Sequence, residues 1–439
     1  MASAGSCGSV KWANRQLGIM SKADSDAKES GTPGTKYNFG CGAPIPGDAS
    51  QQQAFGVQSM GYDANFDLSP VFEFCDSEPY FINEGLPQVE ITVNKILDGS
   101  CPIYSMATKE ANQPTLFGRA ACKCHIASAI FPCDEDSTGS SGSSTPRAVV
   151  VFPDAQINSI SYTFGSDNTP FSEDITFVGN DIIWTNPTDD INDIADCTGT
   201  LNFSYTAQFL ADVASISFDA CCESGTPGPA MPSGQVRKPQ YREDFIWDES
   251  NEDFTETLDV NGALCDPDTT VLPAIIPGVA CDGTNLNNAV AVQSISFSAD
   301  LNREELTALG TRAPRTRTIT PPITVNTSIE VVSEFDSALS ATEAGAFTPS
   351  LPTGSFCDTA GENLRQGTIR VAICGGLRIY TGTQNKIQSI SMSGASTDGD
   401  NMTITYNFQT FNTMTVMHEN GCEDNAATWW AARDTWLCN

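Results

Sequence analysis

Val89-Glu-Ile-Thr-Val-Asn94 alternates apolar and polar side chains without a break, and Ile323-Thr-Val-Asn-Thr-Ser-Ile-Glu-Val331 repeats the pattern except at Thr327. In the first stretch Val89, Ile91 and Val93 share one face and Glu90, Thr92 and Asn94 the other. In the second, Ile323, Val325, Ile329 and Val331 oppose Thr324, Asn326, Ser328 and Glu330. A period of two over this length predicts strands of a sheet with one buried and one wet face. The two stretches also share the words Ile-Thr-Val-Asn, at 91–94 and 323–326, and that sharing extends along the chain.

Ile-Pro-Gly stands at 45–47 and 276–278, Val-Gln-Ser at 57–59 and 292–294, and an X-Pro step at Glu78-Pro79 and Ala313-Pro314. Ile-x-Ser-Ile-Ser stands at 157–161 and 387–391. The offsets run from 230 to 235, in one order. A period this long is a duplicated domain, since solenoid units span only about 20–50 residues. Near the ends, Leu201-Asn-Phe-Ser-Tyr205 matches Met402-Thr-Ile-Thr-Tyr406 and Cys221 matches Cys422, both at an offset of 201. That shift predicts an insertion in the first copy, at roughly 165–196. Asp167, Asn180, Asp181, Asp189 and Asp190 then belong to an outer or stacking loop, because their side chains need water or polar partners.

The organisation that follows is an N-terminal arm at 1–40, which orders only against a neighbour, and a first domain at 41–222. A linker at 223–265 leads to a second domain at 266–439. Glu-Ser-Gly-Thr-Pro-Gly-Pro-Ala-Met-Pro-Ser-Gly at 223–234 is punctuation throughout. Further strands are predicted at 147–152, 157–164, 174–178, 201–209, 214–218, 292–299, 368–374, 386–393 and 402–417. One short helix per domain is predicted. Asn302-Arg-Glu-Glu305 has the form of a capping box, with Leu306 and Leu309 as its apolar stripe, and Ser69-Pro70-Val-Phe72 is its counterpart. The fold class is therefore mainly β: two homologous β-sandwich or half-barrel domains, each with a short flanking helix.

The chain carries 22 basic against 54 acidic residues, a net charge of −32. That excludes a protein that grips nucleic acid or an anionic membrane through Lys and Arg. The first residues show neither the basic start nor the apolar run of a signal peptide. With 40% hydrophobic residues the chain folds rather than remaining an acidic coil. The sixteen cysteines are read either as buried thiols or as disulfides formed after the protein leaves a reducing compartment.

Only two histidines occur, His125 and His418, so catalysis through a histidine triad is all but excluded by counting. Walker A, Gly-x-Gly-x-x-Gly and Gly-x-Ser-x-Gly motifs are absent, so the sequence points to no enzyme and no cofactor. Cys122-Lys-Cys124-His125, with Cys133, has metal-ligand residue types at a spacing unsuited to zinc, which leaves ordinary buried or paired cysteines. Trp429, Trp430 and Trp436 either form a sugar-binding platform or tie down the last segment.

Ser294-Ile-Ser-Phe-Ser-Ala-Asp-Leu-Asn-Arg-Glu-Glu-Leu-Thr-Ala-Leu309, an X-Pro turn and Ile323–Val332 together resemble segments of tailed-bacteriophage structural proteins. The family is that of the major tail tube proteins, in the form that fuses two tube domains in one chain. The resemblance covers roughly 41–222 and 266–439. It implies a homotrimeric ring of pseudo-sixfold symmetry, stacked into a tube through long loops and arms. Other tail proteins are then partners, no membrane is involved, and double-stranded DNA passes without specific binding. The location implied is the tail of a virion made in the host cytoplasm. Six domains of four strands would close a barrel of 24 strands. At about 4.8 Å per strand and about 40° tilt its backbone diameter is roughly 48 Å. The polar faces, Glu90, Thr92 and Asn94 with Thr324, Asn326, Ser328 and Glu330, would line the lumen. A two-domain adhesin or carbohydrate-binding protein, or a capsid or head-decoration protein, is the alternative.

Overall fold

The computed structural model describes residues 15–22, 54–108, 115–130, 148–185, 238–242, 290–309, 314, 316–333, 366–367, 369–373, 377–382, 384–393 and 403–418. The fold is mainly β. Its main sheet contains, in spatial order, β2 (Val57–Phe72), β3 (Pro79–Ile96), β6 (Ser172–Gly179), β5 (Ala148–Gly165), β8 (Val290–Asp300), β11 (Thr324–Ser333), β16 (Thr403–Phe411) and β15 (Asn385–Ser393). The two-residue β12 (Gln366–Gly367) adds to β15 at Asn385 and Lys386. Every neighbouring pair is antiparallel.

The order β2-β3-β6-β5 is repeated as β8-β11-β16-β15, so both halves of the chain build the same four-strand sheet. A second layer repeats as well. The N-terminal part of β5 pairs with β4 (Lys123–Ile130) and β7 (Ile183–Thr185), while β14 (Leu377–Tyr380) pairs with β13 (Arg370–Ile373) and β17 (Thr415–His418). β5 serves both layers: its ladder to β4 ends at Ala155 and its ladder to β6 starts at Gln156. Beside that crossing, Asp154 has φ +53. Bends of this kind let one strand turn a corner between packed sheets.

The repeated sequence words mark β-bulges. On β2, Val57 faces Lys95 and Ser59 faces Asn94, leaving Gln58 as the extra residue. On β8, Val292 faces Val331 and Ser294 faces Glu330, leaving Gln293. On β5, Ile157 faces Phe177 and Ser159 faces Thr176, while on β15 Ile387 faces Phe408 and Ser389 faces Asn407. Asn158 and Gln388 are then the extra residues. Each bulge keeps the apolar side chains on one face across a change of phase.

These ladders correct three sequence readings. Lys95 and Val331 are equivalent, which puts β3 and β11 four residues out of the Ile-Thr-Val-Asn alignment, although on the same face. The predicted insertion at 165–196 contains β6, an inner strand between β3 and β5 in the place that β16 takes in the second half. Leu201–Tyr205 lies outside the described residues. The two predicted flanking helices are strands. Ser69–Phe72 belongs to β2, and Arg303–Leu306 is β9, paired with β10 (Thr316–Ile319). Asn302 takes a left-handed φ of +40 as the chain leaves β8. Arg317 then closes on Glu305 across the strands at 2.8 Å, a pairing the capping-box reading had no way to include.

Two helices of five residues occur elsewhere, α1 (Ile103–Ala107) and α2 (Leu116–Ala120, with the Thr115 side chain accepting from Gly118 N). Of the segment read as an arm, Arg15–Lys22 forms β1 and pairs with β4 of its own chain. The two layers close on one core that runs from Ile91, Phe177 and Ile160 through Phe297 and Ile329 to Tyr406 and Phe408. α1 and α2 cover it with Ile103, Tyr104 and Leu116, and the second-half layer covers it with Ile379 and Val416. No described helix is long and apolar enough to cross a membrane.

Candidate assembly surface

The outer face of the main sheet is polar along most of its breadth. One row of directly opposed residues crosses all eight strands: Ser59, Asn94, Asp174, Ser161, Ser298, Asn326, Gln409 and Lys386. The adjoining row on the opposite face reads Met60, Val93, Ile175, Ile160, Ala299 and Val325 before ending at Thr410. Alternation along each strand and alignment across strands therefore combine into a two-faced slab, apolar within and hydrophilic without.

The seven residues read as a lumen set all lie on this polar face. Glu90, Thr92 and Asn326 are exposed, and Asn94, Thr324, Ser328 and Glu330 are half-buried by their neighbours. Cross-strand hydrogen bonds knit the face: Asn94 Nδ2 donates to Asp174 Oδ1 at 2.6 Å, and Ser294 Oγ to Glu330 Oε2 at 3.2 Å. Asn407 Nδ2 donates to Ser389 Oγ at 2.9 Å. Of the residues read as loop positions, Asp167 is exposed in the turn from β5 to β6, and Asn180 and Asp181 follow β6 at its far end. Asp189 and Asp190 lie outside the described residues, as do Cys133 and the tryptophans at 429, 430 and 436.

The first and second halves meet edge to edge. β5 pairs with β8 from Ser159 opposite Asp300 to Gly165 opposite Ser294. Tyr162 faces Phe297 and Ile160 faces Ala299, all buried. Both bulges anchor this joint: Leu301 N donates to Asn158 O at 2.9 Å, and Ser166 N to Gln293 O at 2.7 Å. Ser166 Oγ also donates to Gln293 Oε1 at 2.9 Å. Arg303 reaches back across the joint, its Nε donating to Ile157 O at 2.6 Å and its Nη2 to Ala120 O. Burial and the nearby Arg317 lower the Arg303 pKa to about 9.

Beneath the apolar face sits a charged pair that sequence reasoning missed. Lys95 and Glu173 oppose each other on β3 and β6 and are fully buried. Glu173 accepts hydrogen bonds from Ile103 N at 2.7 Å, Tyr104 N at 3.1 Å and the Tyr162 hydroxyl at 2.7 Å, which ties the start of α1 to the sheet. Lys95 Nζ donates to Ser100 Oγ at 2.8 Å and to Cys101 O at 2.6 Å. Burial raises the Glu173 pKa, against the pull of Lys95. The signal was present, since both residues fall on the apolar phase of their strands. Their network is satisfied by backbone and hydroxyl groups and by the Asp98 carboxylate, 3.8 Å from Lys95 Nζ, which marks it as a tie between layers.

Cys101 and Cys122 are each disulfide-bonded, while Cys124 is a buried free thiol whose pKa burial and the Asp154 carboxylate push up. His125 accepts a hydrogen bond at Nδ1 from Asp154 N at 3.3 Å. Among the described residues, no three His, Cys, Asp or Glu side chains are grouped to hold a metal ion.

No family model matches the chain, and no curated protein does. Solved structures with some likeness include a sheath–tube complex of an extracellular contractile injection system, called PVC, in its extended state. It is 11% identical, over 41% of this chain and 94% of that one, at a TM-score of 0.26. Another is the tube-terminating cap of the anti-feeding prophage, 14% identical over 35% and 95% of the two chains, at 0.23. The baseplate of the same particle is 7% identical over 40% and 93%, at 0.22. Likeness at these scores is too slight to carry an argument about function.

Proposed function

We propose that this chain is a structural subunit that self-assembles into stacked rings and lines the tube of a phage tail. One observation carries the reading: a single chain builds a continuous antiparallel sheet from the same four-strand order used twice, and one face of that sheet is polar along most of its breadth. A sheet that extends itself by repetition and curves by its own twist closes into a barrel. The polar face then becomes the wall of a water-filled bore, and the apolar face stays in the core between the layers.

Three chains of eight strands supply the 24 that give a backbone diameter of roughly 48 Å. The ring is a homotrimer of pseudo-sixfold symmetry, formed by the two domains at 41–222 and 266–439. Double-stranded DNA passes through it without specific binding, because Glu90, Glu330, Asp174 and Asp300 share its sign. Other tail proteins cap the stack, and the chain catalyses nothing. The long β2–β3 hairpin, with Phe74 and Tyr80 largely exposed, reaches beyond the slab and is suited to contacts between rings. Negative-stain images of the purified full chain should show rings or tubes, and the mass of an isolated ring should equal three chains. Single chains at every concentration and salt tested would reject the reading.

A further inference from the structure

The internal joint between β5 and β8 has a pair of unused counterparts. In the repeated order, β15 holds the place of β5 and β2 the place of β8. Among the described residues, β2 ends the sheet on one side. On the other, β12 covers β15 only at Asn385 and Lys386. We propose that the outer edge of β15 pairs antiparallel with β2 of a second copy of this chain, in the register of the internal joint. The proposal rests on the self-assembly reading above and names the contact that performs it.

The register follows from the shared bulges, which make Ser159 equivalent to Ser389 and Ser294 equivalent to Ser59. Ile160 opposite Ala299 becomes Ile390 opposite Ala64 of the second copy. Tyr162 opposite Phe297 becomes Met392 opposite Tyr62, and Ser161 opposite Ser298 becomes Ser391 opposite Asp63. The chemistry at each position agrees. Tyr162 and Phe297 are 0% exposed in the internal joint, whereas Met392 is 53% and Tyr62 40% exposed at the free edges. Apolar side chains that a strand edge leaves in water are those a neighbouring strand would cover. One anchor recurs too: Gln58 repeats the bulge residue Gln293, which holds the internal joint through Ser166. A heterologous contact of this kind, with its two halves on opposite edges, closes into a ring when the rotation permits. Main-chain hydrogen bonds supply affinity, and the alternate side chains set the register.

The test is a double variant of the full chain, Ser391→Cys with Asp63→Cys, treated with a short bis-maleimide, with each single variant as control for the native cysteines. The expected result is covalent dimers and closed trimers in the double variant, absent from both singles. Pairing Ser391→Cys with Gly61→Cys, two residues out of register, should lose most of that product. Preferred coupling of the 391/61 pair, or rings on the grid with neither pair coupled, would overturn the proposed joint while leaving the tube reading standing. A wild-type chain that forms no ring would overturn both. As an independent check, Ala64→Lys with Met392→Lys should abolish rings and leave a folded single chain with an unchanged circular-dichroism spectrum. Persistence of rings in that variant rejects the joint.

Discussion

His418 shows how single residues in this protein couple packing to pH. It lies on β17, beneath α1, and is almost fully buried. Burial, and then the charge of Lys95, lowers its pKa to about 4. The unfolded chain holds that proton at about pH 6.5, so between these values the unfolded state binds more protons and stability falls as pH falls. The stability is fully present above pH 6.5 and lost toward pH 4, a change of about 3 kcal/mol. Denaturant unfolding of His418→Gln should lack this component of the pH dependence, and an identical pH profile in the variant would refute the assignment. Glu173 makes a second case. Removing its carboxylate as Glu173→Ala strands two backbone N–H groups and the Tyr162 hydroxyl in the core. The expected cost is about 3–5 kcal/mol, read as a fall in urea midpoint. The apolar phase of Lys95 and Glu173 was legible from the chain, but the partners that satisfy them were not. Burial of Lys95 and Glu173 depends on α1 folding over them, and α1 carries no long apolar period to announce it.

At the scale of elements, what could be read was what is local. Alternation at 89–94 and 323–331 is a property of neighbours in the chain, and the strands stand where it put them. The bulges were visible only as repeated words. Nothing in Val-Gln-Ser says that Gln is an extra residue until Lys95 and Asn94 sit opposite. The helix readings failed for the converse reason. A capping box is a short pattern, and the partner that overrules it, Arg317, lies twelve residues along the chain from Glu305. The supposed insertion failed because Leu-x-Phe-x-Tyr at 201–205 carries the same generic alternation as β6. The bulges themselves are testable. Asn158→Ala keeps the extra residue on an exposed-phase position and should shift stability by less than about 1 kcal/mol. Deleting Asn158 leaves one strand out of phase, turning either Ile157 or Ile160 from core to water. That deletion should abolish soluble folded protein, measured as loss of the cooperative unfolding transition. A deletion variant that unfolds like wild type would show the bulge to be dispensable.

For the whole molecule, the proposed function turns on the sign of charge along the polar face. A DNA duplex carries one negative charge per about 1.7 Å of axis, and each phosphate contacted by Lys or Arg releases counterions and adds salt-dependent affinity. In the proposed tube, Glu90, Glu330, Asp174 and Asp300 outnumber Lys386 on the wall, so a duplex would stay mobile. Glu90→Lys with Glu330→Lys reverses this at both repeats, and therefore at six places around a trimeric ring. Folding should survive. Glu90 is exposed, where substitutions usually cost less than about 0.5 kcal/mol, and Glu330 loses one hydrogen bond from Ser294, worth about 1 kcal/mol. Assembly should survive as well, because neither residue lies on β2 or β15, the two edges of the sheet. What should change is transit. Genome ejection from particles carrying the double variant is expected to slow at low salt, where the Debye length is about 30 Å at 0.01 M. The effect should shrink toward wild type as screening tightens to about 8 Å at 0.15 M. Ejection rates measured at both ionic strengths separate the cases. Slowing at low salt that vanishes at high salt supports an electrostatic wall, and rates unchanged at low salt would remove these glutamates from the bore.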